Sequence, residues 1–319
     1  MQPPRLSVIL CNYNDAGYLE SAIKRLCEGP GVPDQLIVVD DGSTDESLDI
    51  LDRVQRDNVE LEIVRHETNQ GIVAAGASGL ARATGDFVAW WSVDDRVNPN
   101  IFDAVRDAAA RYPDVGAIAT ETDVALETVG GDLAPLYSHR YGVSASGQYI
   151  SGDDFASLLR QRYVWLGSSG AFIRRDTLVA QGGWREGAGL FADWIAIYMA
   201  AFQQGVTLIG TPMSTVVRRE NSYGARVRAT PGAECRALRN LLDVLREPGN
   251  ADARAALRRG PLALSYAFGL QLARAGAMRP GDWDLLLAAA TRHGWHRLAR
   301  RLKPGDLDIT RLLDRESSG

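Results

Sequence analysis

The chain has 319 residues, 45% hydrophobic and 24% charged, a globular composition that excludes a disordered or collagen-like protein. The net charge of −5 is uneven, because residues 1–224 carry 18 basic and 30 acidic side chains whereas residues 225–319 carry 17 and 10. An acidic body excludes a general nucleic-acid-binding protein, since phosphate neutralisation needs clustered cations. The basic C-terminal region is either a solvated helical face or a contact for an anionic membrane surface.

The sequence favours a reduced, cytoplasmic setting. The three cysteines have no metal-ligand spacing, and their odd number argues against a disulfide framework. The first residues lack the basic start and the full apolar core of a secretion signal. No run of 18 apolar residues occurs, so no membrane-spanning helix is expected. We predict a cytoplasmic protein, with peripheral contact at the inner face of a membrane as the alternative.

Short apolar runs alternate with helical patterns through the first 125 residues. Runs rich in β-branched and aromatic residues are typical of strands buried on both faces of a sheet. Their alternation with helices predicts βαβ units and therefore an α/β fold with a mostly parallel sheet flanked by helices. We predict strands at 6–10, 36–39, 61–64, 87–91 and 115–119, and helices at 15–27, 45–56, 72–83 and 99–111. Ser43 and Glu46 form a capping-box pattern before the second helix.

The pattern changes after residue 125. Residues 126–163 are rich in Gly, Ser, Tyr and Asp, which predicts an irregular segment. A strand at 170–175, a helix at 194–205 and strands at 206–209 and 214–218 are predicted next. From about residue 231 the pattern is helical and is interrupted by Pro and Gly. We predict one domain over residues 1–225 and a C-terminal helical subdomain over 226–319.

Two pairs of adjacent aspartates follow predicted strands. Asp40 and Asp41 end the second strand, and Asp94 and Asp95 follow the fourth. Parallel α/β sheets bind ligands at the carboxyl ends of their strands, where these side chains meet. Carboxylate oxygens at such an edge can hold Mg²⁺ or Mn²⁺ beside phosphate groups. The alternative is structural, because Asp is also an ordinary helix cap and turn residue.

A later acid, Asp193, stands at the start of the helix predicted at 194–205. It could act as a general base that removes a proton from a hydroxyl group. The alternative is an N-cap or a favourable charge at the helix N-terminus.

Aromatic residues divide into two groups by their position in the chain. Tyr141, Tyr163 and Trp165 lie in or just after the irregular segment and are candidates for lining a pocket. Trp90 and Trp91 lie inside an apolar strand and are predicted to pack against helices. The four histidines are predicted to lie at the surface, because none has metal-ligand spacing within the core.

The order of several motifs resembles glycosyltransferase family 2. The stretches are SVILCNYNDAGYLESAI, VVDDGSTDES, NQGIVAAGASGLARATGDFVAWWSVDD, GAFIRRDTLVAQGGW and ADWIAIYMA, and together they span roughly residues 5–222. The resemblance implies the GT-A fold and an inverting, nonprocessive transfer of a sugar from a nucleotide-sugar donor. It also implies a nucleotide-binding half at about 1–125 and an acceptor half at about 126–225.

The resemblance implies a set of donor-binding residues after the first two strands. Tyr13 would stack on the nucleotide base, and the loop at 11–14, which includes Cys11, would line that pocket. Asp41 would hydrogen-bond the base, which is uracil or thymine in typical members. Asp40 would support the same loop.

The resemblance also implies the metal site and the catalytic base. The family's acidic motif is usually Asp-x-Asp-Asp, and Ser92 stands at its first position here. Asp94 would therefore contact the ribose or a divalent metal, Mn²⁺ or Mg²⁺, with Asp95 as an alternative metal ligand. Asp193 aligns with the catalytic base. Trp194 would shape the acceptor pocket, for which Trp165 is a further candidate.

Three positions depart from the family pattern. Many relatives carry Ala-Arg-Asn in the helix after Asn-x-Gly, with the Arg on the donor phosphates, whereas residues 75–77 are Ala-Gly-Ala here. Ala192, not an acid, precedes the proposed base. Arg219 occupies the place of a family His and could balance diphosphate charge. The alternative is a surface arginine that pairs with Glu220.

We predict sugar transfer from a UDP- or dTDP-sugar to a hydroxyl group of a glycan, a lipid-linked or a small-molecule acceptor, as in polysaccharide biosynthesis. The departures leave open a nucleotide-sugar-binding protein that has lost catalysis. A nucleotidyltransferase is a weaker alternative, because the loop at 12–15 lacks a Gly-rich basic sequence. The expected partners are the donor and the acceptor but no nucleic acid. The C-terminal region could mediate membrane contact or a homodimer.

Overall fold

The computed structural model describes residues 2–28, 31–54, 60–161, 164–219 and 222–230, and single residues between 236 and 251. The strands are β1 Leu6–Asn12, β2 Gln35–Asp40, β3 Glu60–Arg65, β4 Phe87–Ser92, β5 Arg96–Val97, β6 Ala117–Glu127, β7 Leu133–His139, β8 Gln148–Ile150, β9 Ala171–Arg174 and β10 Val206–Arg218. The helices are α1 Ala16–Cys27, α2 Ser47–Arg53, α3 Ile72–Leu80, α4 Ile101–Arg111, α5 Gly152–Gln161, α6 Arg175–Ala180, α7 Ala192–Gln204 and α8 Tyr223–Ala229. Two 3₁₀ segments, Ser168–Gly170 and Glu186–Phe191, lie before β9 and α7.

All ten described strands belong to one sheet. Its strand order is β3-β2-β1-β4-β9-β6-β10-β5, with β7 beside β6 and β8 beside β10. The strands β3, β2, β1 and β4 pair in parallel, whereas β9 is antiparallel to both β4 and β6. The predicted α/β fold is confirmed, and the sheet is parallel over its first four strands and mixed beyond them.

Apolar side chains cover both faces of the sheet. On one face Trp91 is fully buried against the rings of Phe102 and Phe172, at centroid distances of 5.9 and 5.5 Å. On the other face Trp90 packs on Trp184 at 4.8 Å and lies against α3, where a Cβ atom at Gly76 would come within 2.9 Å of its ring. Each large apolar side chain buried in this way contributes roughly 1.5–3 kcal/mol to stability. The prediction that both strand tryptophans pack against helices is confirmed.

The segment at 126–163 is more regular than predicted. It holds the end of β6, the strands β7 and β8, and the helix α5. The strand β7 reads as irregular because its side chains are mostly exposed and it contains Pro135. The two strands predicted at 206–209 and 214–218 form one strand, β10, whose register shifts around Pro212.

The predicted capping box at Ser43 is wrong. Helix α2 begins at Ser47 and its N-cap residue is Glu46, whose side chain makes no cap hydrogen bond. The backbone N–H of Ser47 donates instead to Oδ1 of Asp45 at 3.0 Å. The hydroxyl of Ser43 instead donates to Asp40 at 2.6 Å, because a buried carboxylate is the stronger acceptor.

The predicted C-terminal subdomain at 226–319 lies outside the described residues, apart from the end of α8 and single residues up to 251. Within the described ranges, no helix combines the length and the apolar character that a membrane crossing requires.

Candidate active site

The residues predicted for the site meet at one edge of the sheet. Parallel pairing aligns Asn12 of β1 with Asp40 of β2, and Cys11 of β1 with Ser92 of β4. The loops after these strands therefore start side by side, as ligand-binding loops do in open α/β sheets.

Asp40 is fully buried, and its hydrogen bonds connect the loops that follow β1 and β2. Its Oδ2 accepts from the amide of Asn12 at 2.7 Å, and its Oδ1 accepts from the backbone N–H of Ser43 at 2.9 Å. Asn14, in a left-handed conformation, accepts from the backbone N–H of Thr44 at 2.7 Å. Asp40 thus supports the loop that carries Tyr13, as the family resemblance implies.

Asp41 holds a second loop in the same way. Its Oδ1 accepts from the backbone N–H of Gln70 at 2.9 Å, and its Oδ2 accepts from that of Gly71 at 2.8 Å. Gly42 follows at φ 74°, and a Cβ atom there would lie 2.5 Å from the backbone of Thr68. Only glycine permits this approach of the two loops.

His66 completes the contacts of Asp41. Its Nδ1 lies 2.7 Å from the Asp41 carboxylate and its Nε2 lies 2.9 Å from the hydroxyl of Ser78 in α3. The histidine side chain is only 8% exposed, so the prediction that it lies at the surface is wrong. The reason is that both ring nitrogens find polar partners inside the fold.

Tyr13 and Cys11 lie at different depths. Tyr13 is half-buried on the loop after β1. Cys11 is buried in the core, where its sulfur accepts from the indole N–H of Trp90 at 3.1 Å. Burial raises the pKa of the Cys11 thiol to about 12. The thiol is therefore neutral, and a donor contact of Cys11 stays a prediction.

The guanidinium group of Arg219 bonds Asp94, the first residue of the second aspartate pair. Arg219 follows β10, and its Nε donates to Oδ2 of Asp94 at 2.6 Å. Its two terminal nitrogens donate to the two carboxylate oxygens of Asp15 at 2.7 and 2.8 Å. The guanidinium carbon lies 4.4 Å from the centre of the Tyr18 ring. With 12% of its side chain exposed, Arg219 is not the surface residue of the alternative prediction.

The absence of the family Arg has a local cause. A Cβ atom at Gly76 would lie 2.9 Å from the Trp90 ring, so α3 has no room for a longer side chain at this position. The indole is itself held by Trp184 and Cys11. Arg219 is a cation at the same edge of the sheet, bonded to Asp94 and Asp15.

A single turn links Asp95 to Asp193. The hydroxyl of Ser169 donates to Asp95 at 2.6 Å. The Asp193 carboxylate accepts from Ser168 and from the backbone N–H of Trp194. Burial, together with the charge of Asp94, raises the pKa of Asp95 to about 7. Burial also raises the pKa of Asp193.

Aromatic rings flank this turn. Trp165 stacks on His139 at 4.3 Å, and its ring tip lies over Gly167, the residue before the turn. Trp194 packs on Tyr198 at 4.5 Å. Both tryptophans are half-buried, so each retains accessible surface near this turn.

The other two predicted pocket residues, Tyr141 and Tyr163, are not placed in a pocket by the structure. Tyr141 is buried, and its hydroxyl donates to backbone carbonyls of Thr120 and Trp165, which is a structural role. Tyr163 lies outside the described residues.

Sequence reasoning did not identify Asp15, Ser168, Ser169, Tyr18 and His66 as parts of this edge. The run Gly167–Gly170 of small residues just before a strand was the available signal for the turn. Asp15 and Arg219 are separated by 204 residues, so no local pattern reports their pairing.

Comparison with known proteins identifies a family and several relatives that this sequence resembles. The model of Glycosyl transferase family 2 matches residues 7–160. An uncharacterized glycosyltransferase from Nostoc sp. is 28% identical over 205 residues, which cover 62% of this chain and 60% of that protein. The chain thus spans less than two thirds of that relative's length.

Solved structures share the fold. The crystal structure of S. aureus TarS 1-349 in complex with UDP-GlcNAc has a TM-score of 0.63 at 17% identity, and the match covers 89% of this chain and 79% of that one. GalNAc-T7, crystallised with UDP, GalNAc and Mn²⁺, has a TM-score of 0.54 at 14% identity, with 76% and 48% covered. The predicted GT-A fold is thereby confirmed. Over residues 7–160, just under half of its length, this chain matches glycosyltransferase family 2, and the relatives that it resembles include proteins named glycosyltransferases.

Proposed function

We propose that this chain transfers a sugar from a UDP- or dTDP-sugar to a hydroxyl group of an acceptor, with inversion at the anomeric carbon. One observation carries the proposal: the Ser168–Gly170 turn bonds Asp193 through one serine and Asp95 through the next. A candidate base is thereby held beside candidate acids of the donor site.

Asp193 serves as the general base. It accepts the proton of the acceptor hydroxyl while that oxygen forms a bond to the anomeric carbon. The bond from this carbon to the donor phosphate breaks, and its electron pair leaves with the nucleoside diphosphate. Burial raises the pKa of Asp193, which makes its carboxylate a stronger base than an exposed aspartate.

The donor lies along the carboxyl ends of β1, β2 and β4. Tyr13 stacks on the base, and the loop that begins near Cys11 lines the base pocket. Oδ2 of Asp41 accepts one protein N–H among the contacts above, and a carboxylate oxygen has two lone pairs, so it can accept a second N–H from the base. Arg219 balances the diphosphate charge. The UDP-GlcNAc complex of TarS supports this class of donor.

A divalent metal fits the acids at this edge. Mg²⁺ and its relatives are held by one or two carboxylates plus substrate phosphates, not by closed protein cages. Within the described residues, no group of three or more His, Cys, Asp or Glu could hold a metal, whereas Asp94 and Asp95 offer two carboxylates. We assign Asp94 as the ligand, with Asp95 as the alternative. When bound, the ion acts as a Lewis acid on the charge of the departing diphosphate.

Trp165 and Trp194 form the acceptor pocket. Their half-buried rings beside the turn offer flat apolar faces, which suit the C–H face of a sugar ring. A glycan or a lipid-linked glycan is therefore favoured over a small-molecule acceptor, as in polysaccharide biosynthesis. We place the reaction in the cytoplasm, with the basic C-terminal region as the proposed contact for a membrane or a second copy.

Thermal shifts test the donor site. The protein is heated with UDP, dTDP, GDP or CDP, each with Mn²⁺, Mg²⁺ or EDTA, because a ligand of the native state raises the Tm. We expect the largest rise with UDP or dTDP plus metal, and a smaller rise in Tyr13→Ala. Asp114→Asn, an exposed site, is the matched control. No shift with any nucleotide would contradict the proposal.

The pairing of Arg219 with Asp94 favours one second candidate, a nucleotide-sugar-binding protein without turnover. It predicts the same thermal shifts. Release of nucleoside diphosphate from UDP- and dTDP-sugars, with mono- and disaccharide acceptors, separates the two candidates, since only a transferase releases it.

A further inference from the structure

Arg219 is held by partners on three sides. Its Nε bonds Asp94 and its terminal nitrogens bond Asp15, all within 2.6–2.8 Å. The ring of Tyr18 lies under the guanidinium group, and the Tyr18 hydroxyl donates to Glu127 at 2.5 Å. The carboxylate partners raise the pKa of Arg219 against the effect of its burial, so the side chain stays charged.

The guanidinium group of Arg219 bonds the carboxylate of Asp94, which is the proposed metal ligand. Asp94 is buried, and the guanidinium Nε lies 2.6 Å from its Oδ2. A divalent ion at the same carboxylate would stand within a few ångströms of the guanidinium charge. Like charges at such a distance repel strongly in a partly buried site. A metal ion alone therefore has to displace Arg219 from Asp94.

A bound diphosphate changes the competition between the metal ion and Arg219 for Asp94. It offers Arg219 a bidentate anion in place of Asp94, and it offers the metal additional hard oxygen ligands. Three of the five guanidinium N–H groups are used by the two carboxylates, which leaves two for a phosphate oxygen.

We propose that Arg219 makes metal binding conditional on the nucleotide: Asp94 accepts a divalent cation only when a nucleoside diphosphate engages the guanidinium group. The inference rests on the proposed donor site. Besides balancing the diphosphate charge, Arg219 thereby controls the order in which nucleotide and metal bind.

The first test measures Mn²⁺ alone, by titration calorimetry and by the loss of the free-ion EPR signal. The wild-type chain is expected to show no saturable binding without nucleotide and one site with UDP. Arg219→Gln is expected to bind Mn²⁺ without nucleotide at least about tenfold more tightly than wild type, because the competing charge is gone. Saturable binding of Mn²⁺ alone to the wild type would overturn the proposal.

Arg218→Gln is the matched control. It removes the same charge one residue earlier, but Arg218 lies over Tyr137 and bonds its hydroxyl, away from Asp94. We expect it to bind Mn²⁺ alone as weakly as the wild type does. An equal gain in both variants would mean a general charge effect and would also overturn the proposal.

A second variant covers the case in which Arg219→Gln does not fold. Asp15→Asn removes the bidentate partner but leaves the guanidinium group with Asp94. It also removes a negative charge, so Mn²⁺ alone should still not bind. A gain of metal binding in Asp15→Asn would contradict the role of Arg219.

The UDP thermal shift in EDTA separates this inference from the proposed function. If UDP raises the Tm but Mn²⁺ binds equally well to the wild type and to Arg219→Gln, only the inference is overturned. If no nucleotide shifts the Tm, the donor site itself fails. If UDP binds but no metal binds to any variant, both the metal ligand assignment and the inference fail.

Discussion

Two pairs of adjacent aspartates lie at the same edge of one sheet, yet their surroundings differ. Asp40 and Asp41 accept hydrogen bonds from neutral groups on their own and neighbouring loops. Asp94 is buried and faces the guanidinium group of Arg219, and the half-buried Asp95 next to it has a raised pKa. The first pair holds the loops in place, whereas the second pair carries charge that the fold leaves incompletely balanced.

The difference teaches that a repeated sequence pattern does not imply a repeated role. Adjacent aspartates after a strand can satisfy the N–H groups of a loop, which stabilises the fold. They can also crowd two carboxylates together, which raises a pKa and attracts cations. Perturbed acids of the second kind are typical of functional sites. Substitutions in and around the two pairs should therefore change different measurable quantities.

The largest effect is expected beyond both pairs, at Asp193. Asp193→Asn keeps the shape of the side chain but removes the base, so turnover should fall by about 10²–10⁴-fold. The UDP thermal shift should persist, because the contact of Asp193 with the donor acids described above runs indirectly, through the Ser168–Gly170 turn. Turnover is measured as nucleoside diphosphate release, with Asp114→Asn as the control. Loss of UDP binding together with turnover would remove Asp193 from the role of base.

The pH profile of turnover sharpens the same assignment. Burial raises the pKa of Asp193, so activity should be lost as the pH falls through a value above that of an ordinary aspartate. The acidic limb of kcat against pH, measured at saturating donor and metal, should shift or vanish with Asp193→Asn. An unchanged acidic limb in the residual activity of the variant would assign that ionisation to another group.

The next effect tests the structural pair. Asp40→Asn turns one acceptor oxygen into an NH₂ group that faces the amide of Asn12 or the N–H of Ser43. We expect the free energy of unfolding to fall by about 2–3 kcal/mol. Urea unfolding at neutral pH measures this change. The exposed Asp52, which pairs with Arg65 at the surface, is the control, and Asp52→Asn should change stability by less than about 1 kcal/mol.

Much of this contrast follows from features that a sequence does not display. The apolar runs of β1, β2 and β4 predict the parallel half of the sheet and hence the edge where both pairs lie. A buried strand is a local property, so a local pattern reports it. The antiparallel β9 and the exposed β7 depend on pairing with distant strands, and their patterns are weaker.

The partners of the acids are likewise distant. The approach of Arg219 to Asp15 and Asp94 depends on β10 running beside β6 across the sheet. The burial of His66 depends on the loop that Asp41 holds. The position of the acids at this edge was therefore predictable from the sequence, whereas the residues that balance their charge could be found only from the fold.

A smaller effect is expected at Gly76, on the helix that follows the loop held by Asp41. A Cβ atom there meets the Trp90 ring at 2.9 Å, and the ring is held by Trp184 and Cys11. Gly76→Ala should destabilise the protein by about 1–3 kcal/mol. Gly17→Ala, at an open position of α1, should be neutral or stabilising by up to about 1 kcal/mol. Urea unfolding measures both changes. Equal changes in the free energy of unfolding would show that the Trp90 ring moves aside at little cost.

The smallest expected effect is on the pH dependence of stability, in which the second pair should take part. Because the pKa of Asp95 is about 7 in the folded chain, above its usual value, the folded state binds a proton that the unfolded state releases. Stability from this group is therefore present at low pH and is lost as the pH rises towards 7 and above. Between pH 5 and 8, in EDTA and without nucleotide, the wild type should lose about 1–2 kcal/mol more than Asp95→Asn. If Asp95→Asn keeps the wild-type pH dependence of stability, the second pair is as structural as the first, and the contrast between them fails.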